Sequence, residues 1–344
     1  MGITAKELAA KLSLSEAAVS MALRNKQGVS TETRKKVLEA ADKYGYDFTK
    51  TTKAKNLAKH ITFVIYKRQG AVVGETPFFS ELTEGVSMAC AGHEYKLHIA
   101  YIQKDDDVQT KIDEITYSDC AGIILLGTEM QQEDLRPFLN IRIPLVLLDA
   151  YADFIECDCV LINNVQGAFN ATNYLISRTK NQPGYLRSAY QISNFDERAD
   201  GFYKSIRLHG MSVSQSIVHK LTPSVEGAFA DMLEILDQGE KLAPCYFADN
   251  DVIAIGAMKA LQKKGFRIPE DVAIIGFDDL PITSYMEPPL ATIHVPKKYM
   301  GEMAVKRLIE IISADRQLPV KIEVSTKLKK RRSVQNSANG FASP

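Results

Sequence analysis

The sequence predicts an all-α unit at the amino terminus, followed by a larger α/β body made of two similar halves, each with a parallel sheet. Three observations support this fold class. Apolar residues recur at helical spacing through residues 4–45, short apolar strands alternate with longer amphipathic segments from residue 61 onward, and the alternation begins again after residue 160. With 344 residues, 45% of them apolar, the chain is long enough for two or three domains with ordinary cores.

Two short helices with a tight turn are predicted at the start of the chain. Thr4 and Ser15 are suitable N-cap residues, and only Ser13 and Leu14 remain to turn the chain between the helices. The second helix has an apolar face, with Ala18, Val19, Ala22 and Leu23, and an opposite face with Glu16, Ala17, Ser20, Met21 and Arg24. This outline predicts a helix-turn-helix whose second face is free to contact a partner.

A third helix and a linker complete the amino-terminal unit. Ser30 is the predicted N-cap of that helix, and Gly45 stands where a helix usually ends. Its apolar stripe is formed by Val37, Leu38, Ala41 and Tyr44. The following segment, residues 48–60, is polar and basic, which predicts a linker. Its simplest interpretation is a flexible tether.

The net charge of zero conceals a segregation of charge along the chain. Residues 1–60 hold 12 Lys and Arg against 6 Asp and Glu, a net charge of +6, and the remainder holds 30 against 36, a net charge of −6. A basic end on an acidic body indicates that the amino-terminal unit alone approaches a polyanion such as DNA.

The five cysteines are odd in number and scattered, and no apolar secretory segment opens the sequence. Both features predict reduced thiols and a cytoplasmic protein. Cys157 and Cys159 have no His or Cys partner at zinc-finger spacing, so no metal site is expected. No apolar run reaches membrane-spanning length, and no cofactor motif is present.

The α/β body begins with strand-like and helix-like segments in strict alternation. The predicted strands of the first half are residues 61–66, 96–102, 121–127 and 144–149, and those of the second half are residues 185–190, 216–221, 244–249 and 272–277. Helices are predicted at residues 79–92, 106–117, 131–139, 164–178, 197–209, 224–238 and 250–264. Such alternation favours parallel sheets with helices on both faces.

Polar and aromatic residues follow these strands at the sheet edge where α/β folds bind ligands. Phe78 and Phe79 follow the first strand, Asp149 ends the fourth, and Arg198 opens a helix of the second half. Asp251 and Asp278 follow two further strands. An arginine, several carboxylates and aromatic faces suit a sugar. The alternative interpretation is that Asp and Asn at these places only cap helices.

Residues 3–57 resemble the DNA-binding headpiece of the LacI family of bacterial transcription regulators. The matching features are the Val19-Ser20 pair, Leu23 and Asn25 around Arg24, and the run of Val29, Ser30, Glu32, Thr33, Arg34 and Val37 that leads to Gly45-Tyr46. Further along, FDERADGF, ADNDVIAIGAMKAL, IPEDVAIIGFDD and PPLATIHVP resemble segments of the same family, and the resemblance extends over about residues 3–333.

The resemblance implies a domain organisation. Residues 1–47 correspond to the helix-turn-helix domain and residues 48–60 to a hinge. Residues 61–333 correspond to a bilobed, periplasmic-binding-protein-like core with two Rossmann-like subdomains, which binds effector and dimerises. Its N-subdomain takes about residues 61–160 plus a carboxyl-terminal crossover, and its C-subdomain about residues 161–290. Residues 334–344 predict a disordered tail, and the basic run KLKKRR before it is interpreted as solvated rather than as a DNA contact.

Site residues also follow from the resemblance. The implied DNA-binding residues are Thr4, Ser15, Glu16, Ala17, Ser20, Met21, Arg24, Asn25, Ser30, Lys55 and Leu57. Leu57 corresponds to the family's minor-groove wedge. The implied effector-binding residues are Phe78, Phe79, Asp149, Arg198, Asp251 and Asp278. The family often has an arginine where this chain has Met21, so we expect an operator that differs from the common half-site.

The function that these observations predict is a homodimeric repressor of carbohydrate-utilisation genes, whose affinity for operator DNA is controlled by a sugar-type effector. A sugar-binding transport protein shares the bilobed core but requires a secretory signal and no basic headpiece. A sugar-active enzyme requires a paired acid and base or an activated nucleophile, and no Gly-x-Ser-x-Gly, phosphate loop or metal spacing is present. The effector, the operator and the sign of control stay open at this point.

Overall fold

The structure is a computed structural model that describes residues 3–24, 28–46, 60–70, 72–74, 76–118, 120–139, 141, 143–150, 156–314 and 318–334. The expected contacts of Asn25, Lys55 and Leu57, linker residues 48–59 and all but the first residue of the predicted tail lie outside these ranges. His60, predicted as the last linker residue, instead begins the first strand of the body. No helix in the described ranges is both long and apolar enough to cross a bilayer.

The amino-terminal unit is a three-helix bundle, as the sequence predicts. Its helices are α1 (Ala5–Leu12), α2 (Glu16–Leu23) and α3 (Thr31–Lys43). The backbone N–H groups of Glu7, Ala18 and Thr33 donate to the three predicted N-caps, whose side chains are those of Thr4, Ser15 and Ser30. The bundle has its own core, centred on Leu8, Val19, Val37 and Ala41.

The first lobe of the body, here the N-lobe, is a six-stranded sheet in the order β11-β5-β4-β3-β1-β2. Its strands are β1 (His60–Lys67), β2 (Lys96–Gln103), β3 (Cys120–Leu126), β4 (Leu145–Leu148), β5 (Asp158–Ile162) and β11 (Lys321–Val324). All its pairings are parallel. Helices α4 (Pro77–Gly92) and α11 (Lys297–Ser313) cover one face, and α5 (Val108–Thr116) and α6 (Gln132–Leu139) cover the other.

Close approach of α4 and α11 requires glycine at their contact. A Cβ atom on Gly85 would lie 2.1 Å from the carbonyl oxygen of Lys298, and one on Gly301 would lie 2.6 Å from the carbonyl oxygen of Leu82. No side chain fits at such distances, so the two glycines allow the backbones to touch. This contact ties the carboxyl-terminal part of the chain to the N-lobe.

The second lobe, here the C-lobe, has a four-stranded parallel sheet in the order β7-β6-β8-β9. Its strands are β6 (Gly184–Ser188), β7 (Val218–Leu221), β8 (Cys245–Ala248) and β9 (Ala273–Ile275). Its helices are α7 (Asn164–Thr179), α8 (Ser193–Leu208), α9 (Val225–Asp237) and α10 (Asp251–Lys263). Helices α9 and α10 share a core on one face, and α7 and α8 pack on the other.

The chain passes between the lobes three times: from β5 to α7, from β9 through β10 (Thr292–His294) to α11, and from β11 to β12 (Lys327–Lys329). Strands β10 and β12 pair antiparallel beside the junction. The crossover corresponds to the PPLATIHVP segment at residues 288–296, whereas β5, α11 and β11 were not predicted. Strand β11 joins the N-lobe sheet from more than 150 residues away, and no local pattern signals such a pairing.

The interpretation of KLKKRR as a solvated run was wrong. Residues 327–329 form β12, and the guanidinium of Arg331 donates to Asp279 Oδ1 at 2.6 Å and to the Leu290 carbonyl at 2.8 Å. Arg332 pairs with Glu287 at 3.0 Å. The acidic partners are supplied by the chain that follows β9, which is close in space and distant in sequence, so the run alone could not reveal them.

Candidate interlobe site and DNA-binding face

The candidate ligand site lies between the lobes, at the carboxyl ends of the strands. In each sheet it falls where neighbouring strands connect to opposite sides, after β1 and β3 in the N-lobe and after β6 and β8 in the C-lobe. It encloses a cavity of about 20 Å³. Its polar lining is Thr76, Thr128, Asp149, Asn194, Arg198, Asn250 and Asp278, and its apolar lining is Val72, Phe78, Phe79, Ile192 and Phe195. We call these twelve residues the interlobe site.

The N-lobe wall combines an aromatic pair with a fixed carboxylate. Phe78 and Phe79 open α4 directly after Pro77 and meet edge to face, with ring centroids 5.0 Å apart. Asp149 follows β4 with a φ of 58°, a conformation that L-residues adopt rarely and mainly where surrounding contacts enforce it. One enforcing contact is the hydroxyl of Thr128, which donates to Asp149 Oδ2 at 2.6 Å.

The C-lobe wall is organised by Arg198, whose side chain is buried and makes three hydrogen bonds. Its Nε donates to Asn164 Oδ1 at 2.9 Å, its Nη1 to the Asp249 carbonyl at 2.5 Å, and its Nη2 to Asp278 Oδ1 at 3.3 Å. The guanidinium also lies 3.8 Å from the centroid of the Phe277 ring. These contacts hold a planar, permanently charged donor against the cavity.

A direct hydrogen bond connects the two walls. The Asn194 amide, at the start of α8, donates to Asp149 Oδ1 at 3.0 Å and to the Asp149 carbonyl at 3.3 Å. Since a cavity of about 20 Å³ holds about one water molecule, the lobes are closed on each other in this structure. A ligand of sugar size requires the lobes to separate at this bond.

Four buried carboxyl groups, those of Asp149, Asp249, Asp251 and Asp278, lie at or just behind the interlobe site. Burial raises the pKa of Asp149 to about 7 and that of Asp249 to about 6, although hydrogen bonds and Arg198 lower both. Burial also raises the pKa of Asp251 and Asp278. Each of these carboxyl groups can accept a hydrogen bond or, when protonated, donate one, and any that ionise repel an anion, which favours a neutral ligand that carries hydroxyl groups.

The structure brings five of the six expected effector residues into the lining: Phe78, Phe79, Asp149, Arg198 and Asp278. Asp251 is the exception. Its carboxylate accepts from the Thr292 hydroxyl at 2.6 Å and from the Leu280 N–H at 2.8 Å, so it joins α10 to the crossover segment behind the cavity. Its neighbour Asn250 lines the cavity instead, because Asn250 occupies the turn and Asp251 the first position of the helix.

Two lining residues, Thr128 and Asn194, were not among the predicted site residues. Thr128 follows β3 closely, so the rule applied to the other strand ends could have found it. Asn194 could not be found by this rule, because it joins the site through its contact with Asp149 in the opposite lobe. A further missed residue is Glu129, whose buried carboxylate accepts five backbone N–H groups at 2.8–2.9 Å, from residues 68, 69, 70, 72 and 73. This contact fixes the segment that carries Val72 into the lining.

The candidate DNA-binding face lies on the amino-terminal bundle. Val19, Ala22 and Leu23 of α2 are buried, whereas Glu16, Ala17 and Arg24 are exposed and Ser20 and Met21 are half-buried, in agreement with the predicted division of the helix. The expected contact residues Thr4, Ser15 and Ser30 are exposed N-caps. An exposed helix face on a basic bundle is the geometry that reads base edges in the major groove.

A helix-turn-helix bundle joined to a two-lobed body with a polar interlobe site defines the class: a ligand-responsive, DNA-binding regulator. Comparison with known proteins agrees. Residues 59–332 match the family described as periplasmic binding proteins and sugar binding domain of LacI family. The chain belongs to the LacI family of transcription regulators.

Individual relatives cover almost the whole chain. The transcriptional repressor PurR of Actinobacillus pleuropneumoniae is 28% identical over 338 residues, which is 97% of this chain and 98% of that protein. The structure of a CelR–cellobiose complex has a TM-score of 0.71 at 22% identity and covers 96% of this chain and 99% of its own. The lac repressor dimer bound to operator and the anti-inducer ONPF has a TM-score of 0.70 at 18% identity, covering 97% and 99%.

Proposed function

We propose that this chain is a transcriptional repressor of carbohydrate-utilisation genes, which binds operator DNA as a homodimer and responds to a sugar or sugar derivative in the interlobe site. The observation that carries the proposal is the combination, in one chain, of an exposed recognition helix and a closed polar cavity between two lobes. We assign residues 1–47 to the DNA-binding domain, residues 48–60 to the hinge and residues 61–333 to the sensor core. Such a protein acts in the bacterial cytoplasm, on the nucleoid.

The composition of the interlobe site supports a sugar-type effector. Carboxylates and the Arg198 guanidinium offer charge-assisted hydrogen bonds to hydroxyl groups, and Phe78, Phe79 and Phe195 offer faces for the apolar side of a pyranose. CelR, a structural neighbour, is described in complex with cellobiose. The excess of buried carboxyl groups disfavours a phosphorylated sugar.

Regulation follows from the closed cleft. An effector binds only when the Asn194–Asp149 bond opens, so it favours a lobe arrangement that differs from the closed one. The lobes move relative to each other through three connecting segments, and the chain enters β1 directly from the hinge. Operator affinity then changes by the ratio of the effector's affinities for the two arrangements, and by no more than that.

Dimerisation supplies the specificity that one bundle lacks. A single helix-turn-helix buries too little surface for selective binding, and two-fold dimers on near-palindromic sites solve this problem. On each bundle, we expect Glu16, which is exposed, to accept from a cytosine N4 amino group, and Ala17 and Met21 to contact thymine methyl groups.

The effector part is tested by thermal shift of the full-length protein against a panel of neutral sugars, sugar phosphates and nucleosides, followed by gel shift with each ligand that binds. We expect a neutral sugar to raise the unfolding temperature and to change operator affinity. Arg198→Ala is expected to abolish both responses to the sugar while leaving salt-dependent DNA binding intact. Arg198→Lys is expected to weaken both responses, because lysine lacks the planar guanidinium group with its several donors. Arg267→Ala is the matched control, since its ion pair with Asp271 lies on the exposed surface of the same lobe.

Two results would contradict the proposal. A response to nucleosides or sugar phosphates alone would reject the neutral-sugar effector. Failure to retain any duplex at low salt would reject the regulator itself. The operator is obtained by selection from random duplexes, where recovery of the common family half-site would contradict the assignment of Glu16 and Met21 as base readers.

A further inference from the structure

The five cysteines fall into two groups with different surroundings. Cys90, Cys120 and Cys245 are buried singly in the lobe cores, where burial raises the pKa of each thiol, to about 11 for Cys90 and Cys245. Such thiols are unreactive. Cys157 and Cys159 instead lie together, with their Sγ atoms 3.4 Å apart.

The strand geometry explains why these two thiols meet. Residues two apart on an extended chain face the same side, so Cys157 and Cys159 point together towards the core shared with α5 and α6. Asp158 between them points the other way, where it accepts from Arg307 Nε at 2.7 Å and from the Val320 N–H at 2.9 Å. Asp158 thereby fixes the orientation that brings the sulfurs into contact.

The two thiols differ in reactivity. Cys157 is half-buried, and a hydrogen bond from the Cys159 thiol lowers its pKa, opposed by partial burial and aided by the nearby Lys321 ammonium. Cys159 is fully buried, and the contact with Cys157 together with burial raises its pKa well above the ordinary value. The more exposed sulfur is therefore the better thiolate, and the buried sulfur keeps its proton beside it.

We propose that Cys157 and Cys159 are a redox modification site, which forms a reversible disulfide when the protein meets hydrogen peroxide. The Cys157 thiolate attacks one peroxide oxygen, the O–O bond breaks, and hydroxide leaves and takes up a proton as water. Once Cys157 is a sulfenic acid, its thiolate no longer raises the pKa of Cys159. The Cys159 sulfur, 3.4 Å from that of Cys157 before oxidation, then attacks the sulfur of the sulfenic acid as it gives up its proton. The S–O bond breaks, hydroxide leaves with the Cys159 proton as water, and the S–S bond forms, so that two thiols are oxidised and one peroxide is reduced to two waters.

The position of the pair permits this closure at a modest structural cost. Two steps of extended chain separate Cα atoms by about 6.6 Å, near the upper end of the range of roughly 4.4–6.8 Å found in disulfides. The register of β5 with β4 begins at Asp158 and that with β11 at Cys159. Cys157 therefore precedes the ladder, and its backbone can approach Cys159 without breaking the sheet register. Cys157 is only half-buried, so a reductant can reach the disulfide, which makes the modification reversible.

The experiment uses the full-length protein, reduced, desalted and treated with increasing hydrogen peroxide before denaturation, thiol alkylation and peptide mapping. The peptide that contains residues 157–159 is expected to lose two hydrogen atoms and to take no alkyl group, while Cys90, Cys120 and Cys245 remain alkylated. Dithiothreitol is expected to restore alkylation of both thiols. Recovery of Cys157 and Cys159 as alkylated thiols after excess peroxide would overturn the proposal.

Variants separate the two roles. Cys159→Ser is expected to stop at a sulfenic acid on Cys157, which dimedone traps, and Cys157→Ser is expected to leave Cys159 reduced. Cys90→Ser, which removes a singly buried thiol, is the control and is expected to form the disulfide as the wild type does. The wild-type map decides the question even where a variant fails to fold. Accumulation of Cys157 sulfinic acid with Cys159 still reduced in the wild type would contradict the resolving role of Cys159.

Discussion

Individual residues of the interlobe site are held in conformations that only the surrounding structure can maintain. Asp149 and Asp278 both have positive φ angles, 58° and 111°, and both side chains face the cavity. Strained backbone of this kind persists only where neighbouring residues hold it and often occurs at ligand sites, which agrees with the proposed effector site. Asp149 shows this most clearly, since Thr128 and Asn194 fix its carboxylate from opposite lobes.

The raised pKa of Asp149 leads to a prediction about pH. The folded protein holds this proton more tightly than the unfolded chain, so the stabilisation is complete below the ordinary pKa of 3.8 and is lost as pH rises through the folded value of about 7. We therefore expect the unfolding temperature to fall between about pH 4 and pH 7, and Asp149→Asn to reduce that fall because the amide does not ionise. Calorimetry at both pH values measures the difference.

The control for this experiment is Asp105→Asn, which removes an exposed carboxylate from the same lobe. Its dependence on pH should match that of the wild type. An unchanged slope in Asp149→Asn would mean that Asp149 is ionised throughout this range.

Glu129 is predicted to be a positioning residue. In Glu129→Gln one oxygen acceptor is replaced by an NH₂ donor that faces backbone N–H groups, so we expect a loss of about 1–3 kcal/mol in the free energy of unfolding. The released segment carries Val72, so effector affinity should also fall. Urea denaturation and effector titration measure the two effects.

Glu133→Gln provides the comparison, because Glu133 is exposed and its contact with Arg68 is 3.4 Å long. Surface pairs of this kind contribute about 0–1 kcal/mol. Equal stability of the two variants would show that the five N–H groups find other partners.

At the scale of elements, α2 has one face that packs in the bundle core and one face that is exposed. Its eight residues bury one face against α1 and α3 and leave exposed the face that we propose contacts DNA. Because the helix is so short, its stability depends strongly on its N-cap. Ser15→Ala removes the acceptor of the Ala18 N–H and should destabilise the bundle by about 1 kcal/mol. Unfolding followed by circular dichroism and operator titration by gel shift test this expectation.

Ser15→Asp should behave differently from Ser15→Ala in the absence of DNA, since aspartate is an equally good cap. If all three proteins unfold alike, the cap does not limit the stability of the bundle.

At the scale of the whole molecule, charge and function are divided in the same way. The first 60 residues carry +6 and the rest −6, so the bundle attracts DNA while the body repels it. We predict that deletion of residues 1–59 abolishes retention of operator duplex but preserves effector binding, because the bundle has a core separate from those of the lobes. Fluorescence anisotropy with DNA and thermal shift with effector measure the two activities.

For the intact protein, the logarithm of operator affinity should fall linearly with the logarithm of salt concentration, as phosphate contacts release counterions. A truncated body that still retains the operator duplex would place DNA binding outside the bundle. A truncated body that no longer binds effector would instead make the lobes dependent on the bundle.

Local patterns in the sequence determined the three-helix bundle and its caps, the alternation of strands and helices, and most of the residues at strand ends. These features follow from side-chain periodicity and capping chemistry, which act over a few residues. Phe78, Phe79, Asp149, Arg198 and Asp278 could be found in this way because parallel strands bring their carboxyl ends to one edge.

Only the tertiary structure decided which groups meet across the lobes. Asn194 reaches Asp149, Arg331 reaches Asp279, and β11 joins the N-lobe sheet beside β5, all through contacts between segments far apart in sequence. It also separated Asn250, which lines the cavity, from Asp251, which lies behind it. The physical reason is that a hydrogen bond or ion pair depends on distances of about 3 Å, whereas residue patterns determine only which face of an element a side chain occupies.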